Sequence, residues 1–178
     1  MAKEQAFLPS GIAAEGISFE RIDFGTRKDY LMGTVHVWIW RRRGENGIEI
    51  LLQQRSLSKK SHPGMLDISV AGHIDEGETD LQTVCREAKE EVGLNVDVSR
   101  LEFAFRLRKT NVSNVIATVY LYEVDDSFAP RFDDGEVEDS RWVSIGQFTD
   151  MTNSPGAYNL AHHGTGYFQI LVERLNLL

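Results

Sequence analysis

The chain has 178 residues, of which 42% are hydrophobic and 26% are charged, and its formal net charge is −8. This length and composition are those of one globular domain with a sizeable core. The negative charge argues against binding to nucleic-acid polymers or to anionic membranes, but it does not exclude a nucleotide ligand. No apolar run approaches the ~18 residues of a membrane-spanning helix. The single cysteine, Cys85, suits a reducing compartment, so we expect a cytoplasmic protein without a secretory signal.

The N-terminal part of the chain predicts strands after an irregular beginning. Residues 1–16 contain Pro and Gly breakers without a sustained period, and we interpret them as an irregular lead-in. Residues 17–24 alternate imperfectly and are a candidate extra strand. The runs 33–43 and 48–54 flank a Gly-rich turn and predict a hairpin. The first run is apolar on both faces, so both should be covered, and His36 is most simply part of that packed sheet.

A polar connection at 54–64 leads into a short strand at 66–72. The cationic side chains of this connection are candidate phosphate contacts, namely Arg55, Lys59 and Lys60. For the two lysines, a role as ordinary surface charge is an equal alternative.

The chain from residue 96 onward contains the other predicted strands, helices and loops. Residues 125–139 form an acidic loop, and its Glu136 lies six residues before Trp142. Such a loop is usually just solvated. His162 and His163 have no carboxylate or cysteine at ligand spacing, so we expect a substrate-loop or neutral surface role for them. The predicted strands and helices are 96–109, 112–124 and 140–144 as strands, then 144–151 and 167–178 as helices.

One stretch, residues 79–93, predicts a short amphipathic helix. Thr79 or Asp80 can cap its beginning, and Gly93 ends it. On a wheel of about 100° per residue, one face is apolar: Leu81, Val84, Cys85, Ala88 and Val92. A second face carries carboxylates at i, i+3 and i+4: Glu87, Glu90 and Glu91.

Clustered carboxylates on a helix require an explanation, because such like-charge pairs cost a few tenths of a kcal/mol each. A solvated acidic face is the simplest interpretation. A hard divalent cation reverses the sign of the energy, since converging oxygen ligands then coordinate instead of repelling. Arg86 and Glu78 suit a supporting role, in which the arginine clamps a carboxylate beside the site.

The segment from Gly72 to Leu94 resembles the signature of the Nudix family at every specified position. It reads as Gly, five residues, Glu, seven residues, Arg-Glu, an aliphatic residue, any residue, Glu-Glu, any residue, Gly and an aliphatic residue. The resemblance implies an α/β fold, the Nudix α/β/α sandwich with a mixed β-sheet between helices. It divides the chain into an N-terminal extension (1–32), a Nudix core (33–150) and a C-terminal loop and helix on the same domain (151–178). Features at 54–73 are similar to the branch nearest to isopentenyl-diphosphate isomerase.

The resemblance also implies a function, namely metal-dependent hydrolysis of a nucleoside diphosphate linked to another group. Mg²⁺ or Mn²⁺ would be held by Glu87, Glu90, Glu91 and the Gly72 carbonyl, with Glu78 and Arg86 as orienting residues. The catalytic set is Glu90, Glu91, Glu136 and Arg86. The choice of general base stays open between Glu91 and Glu136.

Two other classes of protein stay open at this point. An isomerase acting on isopentenyl diphosphate would work through a cysteine ahead of the helix, where this chain has none, and Cys85 lies on the apolar face. A non-catalytic nucleotide-binding module would use the same pocket, although no ligand residue is lost. The expected partner is a small nucleoside diphosphate derivative. The substrate itself, the number of metal ions and the oligomeric state, a homodimer included, stay open.

Overall fold

The structure is a computed structural model that describes residues 3–20, 29–44, 47–109, 114–132, 135–164 and 166–178. Within these ranges nine strands form one mixed sheet. The strands are β1 (Lys3–Phe7), β2 (Ala13–Glu20), β3 (Leu31–Arg43), β4 (Gly47–Arg55), β5 (Leu66–Asp67), β6 (Val70–His73), β7 (Glu102–Lys109), β8 (Val115–Glu123) and β9 (Val137–Ser144). The helices are α1 (Asp80–Val92), α2 (Ile145–Asn153) and α3 (Tyr167–Leu175). Not one of the helices in these ranges has the length and apolar character needed to cross a bilayer.

Strand β3 is the centre of the sheet. It runs parallel to β8 and antiparallel to β1, β4 and β6. Strand β4 pairs with β3 up to Ile50 and with β5 at Gln53 and Gln54, and it pairs with β9 over residues 49–55. The hairpin of β3 and β4 confirms the sequence prediction, although residues 45–46 of its turn lie outside the described residues.

Both faces of the sheet are covered, as the apolar side chains on both faces of β3 predicted. On one face, Val35, Val37 and Ile39 pack with buried residues of α1. On the other face, Trp38 and Trp40 pack with α2 and α3. Because successive strand residues point to opposite faces, this one strand separates two cores. The α/β/α sandwich with a mixed sheet is therefore confirmed.

The N-terminal region differs from the prediction. The expected irregular lead-in at 1–16 is wrong, because β1 lies within it and pairs with both β2 and β3. Residues 17–20 of the candidate strand at 17–24 are the second half of β2, which begins at Ala13. Residues 21–24, the end of that candidate strand, lie outside the described residues, as do residues 25–28.

Other strands begin or end at residues different from those predicted. The strand predicted at 66–72 is two strands, because Ser69 turns inward between β3 and β4: its hydroxyl donates to Leu51 O and accepts from Ile39 N. The strand predicted at 96–109 begins at Glu102, after a 3-10 turn that Asp97 caps. Strand β9 begins three residues earlier than the predicted 140–144 strand. The turn expected near Asn111 lies outside the described residues.

Candidate metal and diphosphate site

Helix α1 begins and ends where its capping residues predicted. Thr79 accepts a hydrogen bond from Gln82 N, and the Gln82 side chain accepts one from Thr79 N, which completes a capping box. Gly93 ends the helix in the left-handed conformation, with φ of 69°. The cap is therefore Thr79, and Asp80 is the first helical residue.

The apolar face of α1 is narrower than predicted. Val84, Ala88 and Val92 are buried in the core between α1 and the sheet. Leu81 was expected beside them but is 42% exposed, and Cys85 is half-buried. The helix contacts β6 and β3, and only its central and last turns bury their apolar side chains. This leaves the first apolar position outside the core.

The three carboxylates of α1 occupy different environments. Glu91 is buried, and its Oε2 accepts a hydrogen bond from the backbone N–H of Ala71 at 3.0 Å. Glu87 is half-buried, whereas the side chain of Glu90 is 53% exposed. The acidic face therefore runs from the edge of β6 out to solvent, and one of its carboxylates is fixed by a main-chain donor of β6.

The glycine that opens the signature is required by the position of Glu87. A Cβ built on Gly72 would lie 2.0 Å from Glu87 Cδ and Oε1. The carboxylate of Glu87 thus rests on the backbone of β6, where any side chain would displace it. This contact brings the Gly72 backbone and the acidic face of α1 together, and the role of the Gly72 carbonyl as a metal ligand stays a prediction.

Arg86 joins the carboxylates around this contact. Its Nε and Nη2 donate to the two oxygens of Glu78 at 2.9 and 2.8 Å, the paired geometry that suits a carboxylate. Its Nη1 donates to Glu87 at 2.7 Å and more weakly to Glu90 at 3.5 Å, and Nη2 also reaches His73 O. The supporting pair expected from the sequence is therefore present in the geometry.

The pKa values of the two carboxylates that Arg86 binds most closely, Glu78 and Glu87, are shifted in opposite directions. Hydrogen bonds from Arg86 lower the pKa of Glu78 to about 2. Burial raises the pKa of Glu87, and Arg86 offsets this only in part because the charges of Glu90 and Glu136 act in the same direction as burial. A cation placed among Glu87, Glu90 and Glu136 would relieve this repulsion.

The donor set suits a hard divalent cation, because it consists of carboxylate oxygens and a backbone carbonyl. Across the ranges that the structure describes, three or more acidic, histidine or cysteine side chains do not yet converge at ligand distances. Arg86 donates to Oε1 of Glu87 and Ala71 N donates to Oε2 of Glu91, and these contacts set the positions of the two carboxylates.

The predicted phosphate contacts lie at the end of β4 and in the loop after it. Arg55 donates to Asp67 Oδ2 at 3.3 Å and to the backbone and hydroxyl oxygens of Ser61. Lys59 forms an ion pair with Glu136 at 2.5 Å. Lys60 is exposed and makes no ion pair with any residue that the structure describes. Arg55 and Lys59 thus already have acidic partners.

The sequence did not reveal a buried polar cluster on the α3 side of the sheet. His163 Nε2 lies 2.6 Å from Asp67 Oδ1 and its side chain is 10% exposed, so the expected neutral surface role is wrong for His163, whereas its substrate-loop role stays a prediction. Burial alone would raise the pKa of Asp67, but the charge and hydrogen bond of His163, together with the Ile68 N–H and the charge of Arg55, outweigh it and lower that pKa. Tyr167 OH contacts both His36 Nδ1 and Trp38 Nε1 at 2.8 and 2.9 Å. His36 belongs to the packed sheet, as predicted, and His162 is exposed.

A second overlooked residue is Gln53, which is 1% exposed. Strand alternation places it on the same face of β4 as Leu51, which packs in the α1 core. Its Oε1 has no hydrogen-bond partner within the described part of the chain. Buried polar atoms are rarely left unpaired, so this amide oxygen is a candidate acceptor for a ligand group. An amide in a run of strand residues carries no signal in the sequence that could have identified it.

The fold is an α/β/α sandwich in which the acidic face of α1, bound by Arg86, lies beside Gly72 of β6. These features define a class of protein, and comparison with known proteins identifies its family. The model of the NUDIX domain matches residues 31–163. The chain belongs to the Nudix family.

Relatives within the family carry different names. The chain is 32% identical to isopentenyl-diphosphate Delta-isomerase of Klebsiella pneumoniae over 128 residues, which cover 68% of this chain and 66% of the isomerase. It is 28% identical to a Nudix hydrolase of Deinococcus radiodurans over 145 residues, covering 72% and 81% of the two chains. The chain thus spans just under two thirds of the length of that isomerase.

Solved structures support the fold across nearly the whole chain. The crystal structure of DR0079 from Deinococcus radiodurans has a TM-score of 0.72 and 20% sequence identity, and the match covers 97% of this chain and 98% of that one. At this identity the likeness concerns the fold alone.

Proposed function

We propose that the protein is a metal-dependent hydrolase that cleaves the diphosphate linkage of a nucleoside diphosphate joined to another group. The observation that supports this most is the contact of Glu87 with the backbone at Gly72, held in place by Arg86. A structural acidic face would not need a carboxylate seated on a glycine, whereas a metal site needs side-chain and backbone oxygens close together.

Each residue of the site has a role in this proposal. Glu87, Glu90, Glu91 and the Gly72 carbonyl hold the cation. Arg86 and Glu78 orient Glu87, because the guanidinium bonds both carboxylates at once. Bound Mg²⁺ or Mn²⁺ would supply charge neutralisation for the diphosphate and a more acidic water.

The base that takes a proton from the attacking water is Glu91 or Glu136. Glu91 is held by Ala71 N at the sheet edge, and Glu136 approaches from the start of β9. Arg55, Lys59 and Lys60 would meet the phosphates from the loop after β4. The cytoplasmic location and the homodimer stay predictions.

A second candidate, isomerisation of isopentenyl diphosphate, is favoured by the identity to the Klebsiella isomerase. The chain's one cysteine argues against it. Cys85 lies on α1, turned by about 200° of helix rotation from Glu87, and it is half-buried. It does not share the face that carries the three carboxylates.

A substrate panel distinguishes the two candidates. The panel comprises nucleotide sugars, ADP-ribose, CDP-alcohols, dinucleotide cofactors, damaged nucleoside triphosphates and isopentenyl diphosphate, each with Mg²⁺, Mn²⁺ or a chelator, and with both products identified. We expect cleavage of at least one nucleoside diphosphate derivative into two phosphate-bearing products, and no cleavage with the chelator. Cleavage that persists in the chelator, or isomerisation as the only reaction, would refute the proposal.

A further inference from the structure

One ion pair joins two residues that the proposed hydrolysis would use for opposite purposes. Lys59 Nζ lies 2.5 Å from Glu136 Oε2. The ammonium is a candidate partner for a substrate phosphate, and the carboxylate is a candidate ligand or base. In the substrate-free protein, each of these charges is neutralised by the other.

The backbone holds this pair together from both sides. Ser56 N donates to Glu136 O at 2.9 Å, and Lys59 N donates to Ser56 O at 3.1 Å in a tight turn. Val137, the first residue of β9, pairs with Arg55 at the end of β4. The loop that carries Lys59 is therefore tied to the segment that carries Glu136, and the two side chains meet without a large backbone movement.

The pair is placed for exchange rather than for stability. The Lys59 side chain is 25% exposed and that of Glu136 is 50% exposed. Ion pairs with this access to solvent contribute little free energy, so a stronger ligand on either side can separate them. Glu136 also lies within electrostatic range of the α1 cluster, because its charge acts on Glu87.

We propose that Lys59 and Glu136 form an exchangeable latch, which opens when the site is loaded. On loading, Lys59 passes from the carboxylate to a phosphate of the substrate, and Glu136 turns toward the cation or the attacking water. The inference rests on the proposed function for its substrate. Binding of the phosphate to Lys59 and binding of the cation by Glu136 both compete with this ion pair. Removing the charge of Lys59 should therefore strengthen binding of the cation and weaken binding of the substrate.

Replacing Lys59 by Met removes the charge and keeps most of the stem. The ion pair with Glu136 is then absent, and the substrate-free protein should bind Mn²⁺ roughly two- to fivefold more tightly, the range of a partly exposed ion pair. The same variant loses a phosphate contact, so its KM for the diphosphate should rise while its kcat changes less. Lys59→Arg keeps the charge and should restore both values toward the wild type.

The reciprocal variant is Glu136→Gln, which releases Lys59. Without any metal, this variant should bind inorganic pyrophosphate more tightly than the wild type, by a similar factor. Lys3→Met is the matched control, because Lys3 is an exposed lysine of β1 that has no role in the proposed site. It should change neither affinity.

The experiment is a calorimetric titration of the substrate-free full chain with Mn²⁺ alone and with metal-free pyrophosphate, followed by KM and kcat. Opposite shifts in Lys59→Met, tighter Mn²⁺ binding and a higher KM, together with tighter pyrophosphate binding in Glu136→Gln, support the latch. Equal Mn²⁺ affinity in Lys59→Met and wild type, or weaker binding in Lys59→Met, overturns it. If the wild type cleaves no diphosphate, the proposed function fails, and the two titrations still decide whether the latch exists.

Discussion

Replacing Gly72 by Ala tests the placement of Glu87 with one methyl group. The new Cβ would lie 2.0 Å from Glu87 Cδ and Oε1 and 2.3 Å from Cγ. Carbon atoms in contact normally lie about 3.5–4.0 Å apart, so the carboxylate must move by roughly 1.5 Å. The carboxylate is the far end of a half-buried side chain, so it can move outward while the backbone of β6 stays in place.

The magnitudes separate an effect on the fold from an effect on the site. We expect a loss of about 1–3 kcal/mol in the free energy of unfolding, the usual cost of an added methyl group in a packed place. The 2.7 Å bond from Arg86 to Glu87 must also lengthen. A displacement of about 1 Å at a reacting centre typically costs about 10²-fold in rate, so kcat should fall at least that far.

The assay compares kcat, Mn²⁺ affinity and thermal unfolding of Gly72→Ala with those of Gly146→Ala. Gly146 lies in α2, and a Cβ there would meet only Ser144 Oγ, at 4.0 Å. The control should keep full activity and gain up to about 1 kcal/mol in stability. A Gly72→Ala protein with wild-type kcat and Mn²⁺ affinity would refute the assignment of Glu87 to the site.

Two further predictions concern Cys85 and Asp67. Cys85→Ala should keep most of the hydrolysis and lose about 1 kcal/mol of stability, because a half-buried side chain leaves a small gap; complete loss of turnover, with isomerisation by the wild type, would favour the isomerase. Asp67→Asn should lower the free energy of unfolding, measured with urea at pH 7, by about 3 kcal/mol, because it leaves Arg55 and His163 without their buried carboxylate. The folded pKa of Asp67 is lowered, so its contribution is present above about pH 4 and is lost as the pH falls below that. The difference in the free energy of unfolding between Asp67→Asn and wild type should therefore shrink in acid. Asp125→Asn, at an exposed position, is the control and should match the wild type at every pH. A difference for Asp67→Asn at pH 3 as large as that at pH 7 would contradict this prediction.

Features set by local spacing could be predicted from the sequence. The beginning of α1 depends on Thr79 and Gln82, which lie three residues apart, and its end depends on Gly93. The order from Gly72 through Arg86 to Glu87 likewise lies within one short segment. Short-range rules of capping and helical periodicity are enough for such features.

Features set by distant partners could not be predicted in this way. His163 and Asp67 are 96 residues apart, and nothing near either residue in the sequence indicates the pair. Strand β1 was missed because its polar Glu4 is buried, so its polar and apolar residues do not alternate as they do in a half-buried strand. The exposure of Leu81 depends on which turns of α1 pack against β6 and β3, which is a matter of tertiary packing rather than of the helical wheel.

The central claim is that the acidic face of α1 binds the cation used in diphosphate cleavage, and Glu90→Gln tests it most directly. The Glu90 side chain is 53% exposed, and its ion pair within the described part of the chain is a 3.5 Å contact with Arg86, so its replacement should leave the fold intact. The measurement is kcat on the best substrate of the panel across a Mn²⁺ titration, with Glu138→Gln, an exposed carboxylate of β9, as the control. We expect Glu90→Gln to lose about 10²-fold or more in kcat, on the scale of removing one group that stabilises the transition-state charge, while unfolding at the wild-type temperature, and Glu138→Gln to stay near wild type. Equal kcat in Glu90→Gln and wild type at every Mn²⁺ concentration would contradict the account.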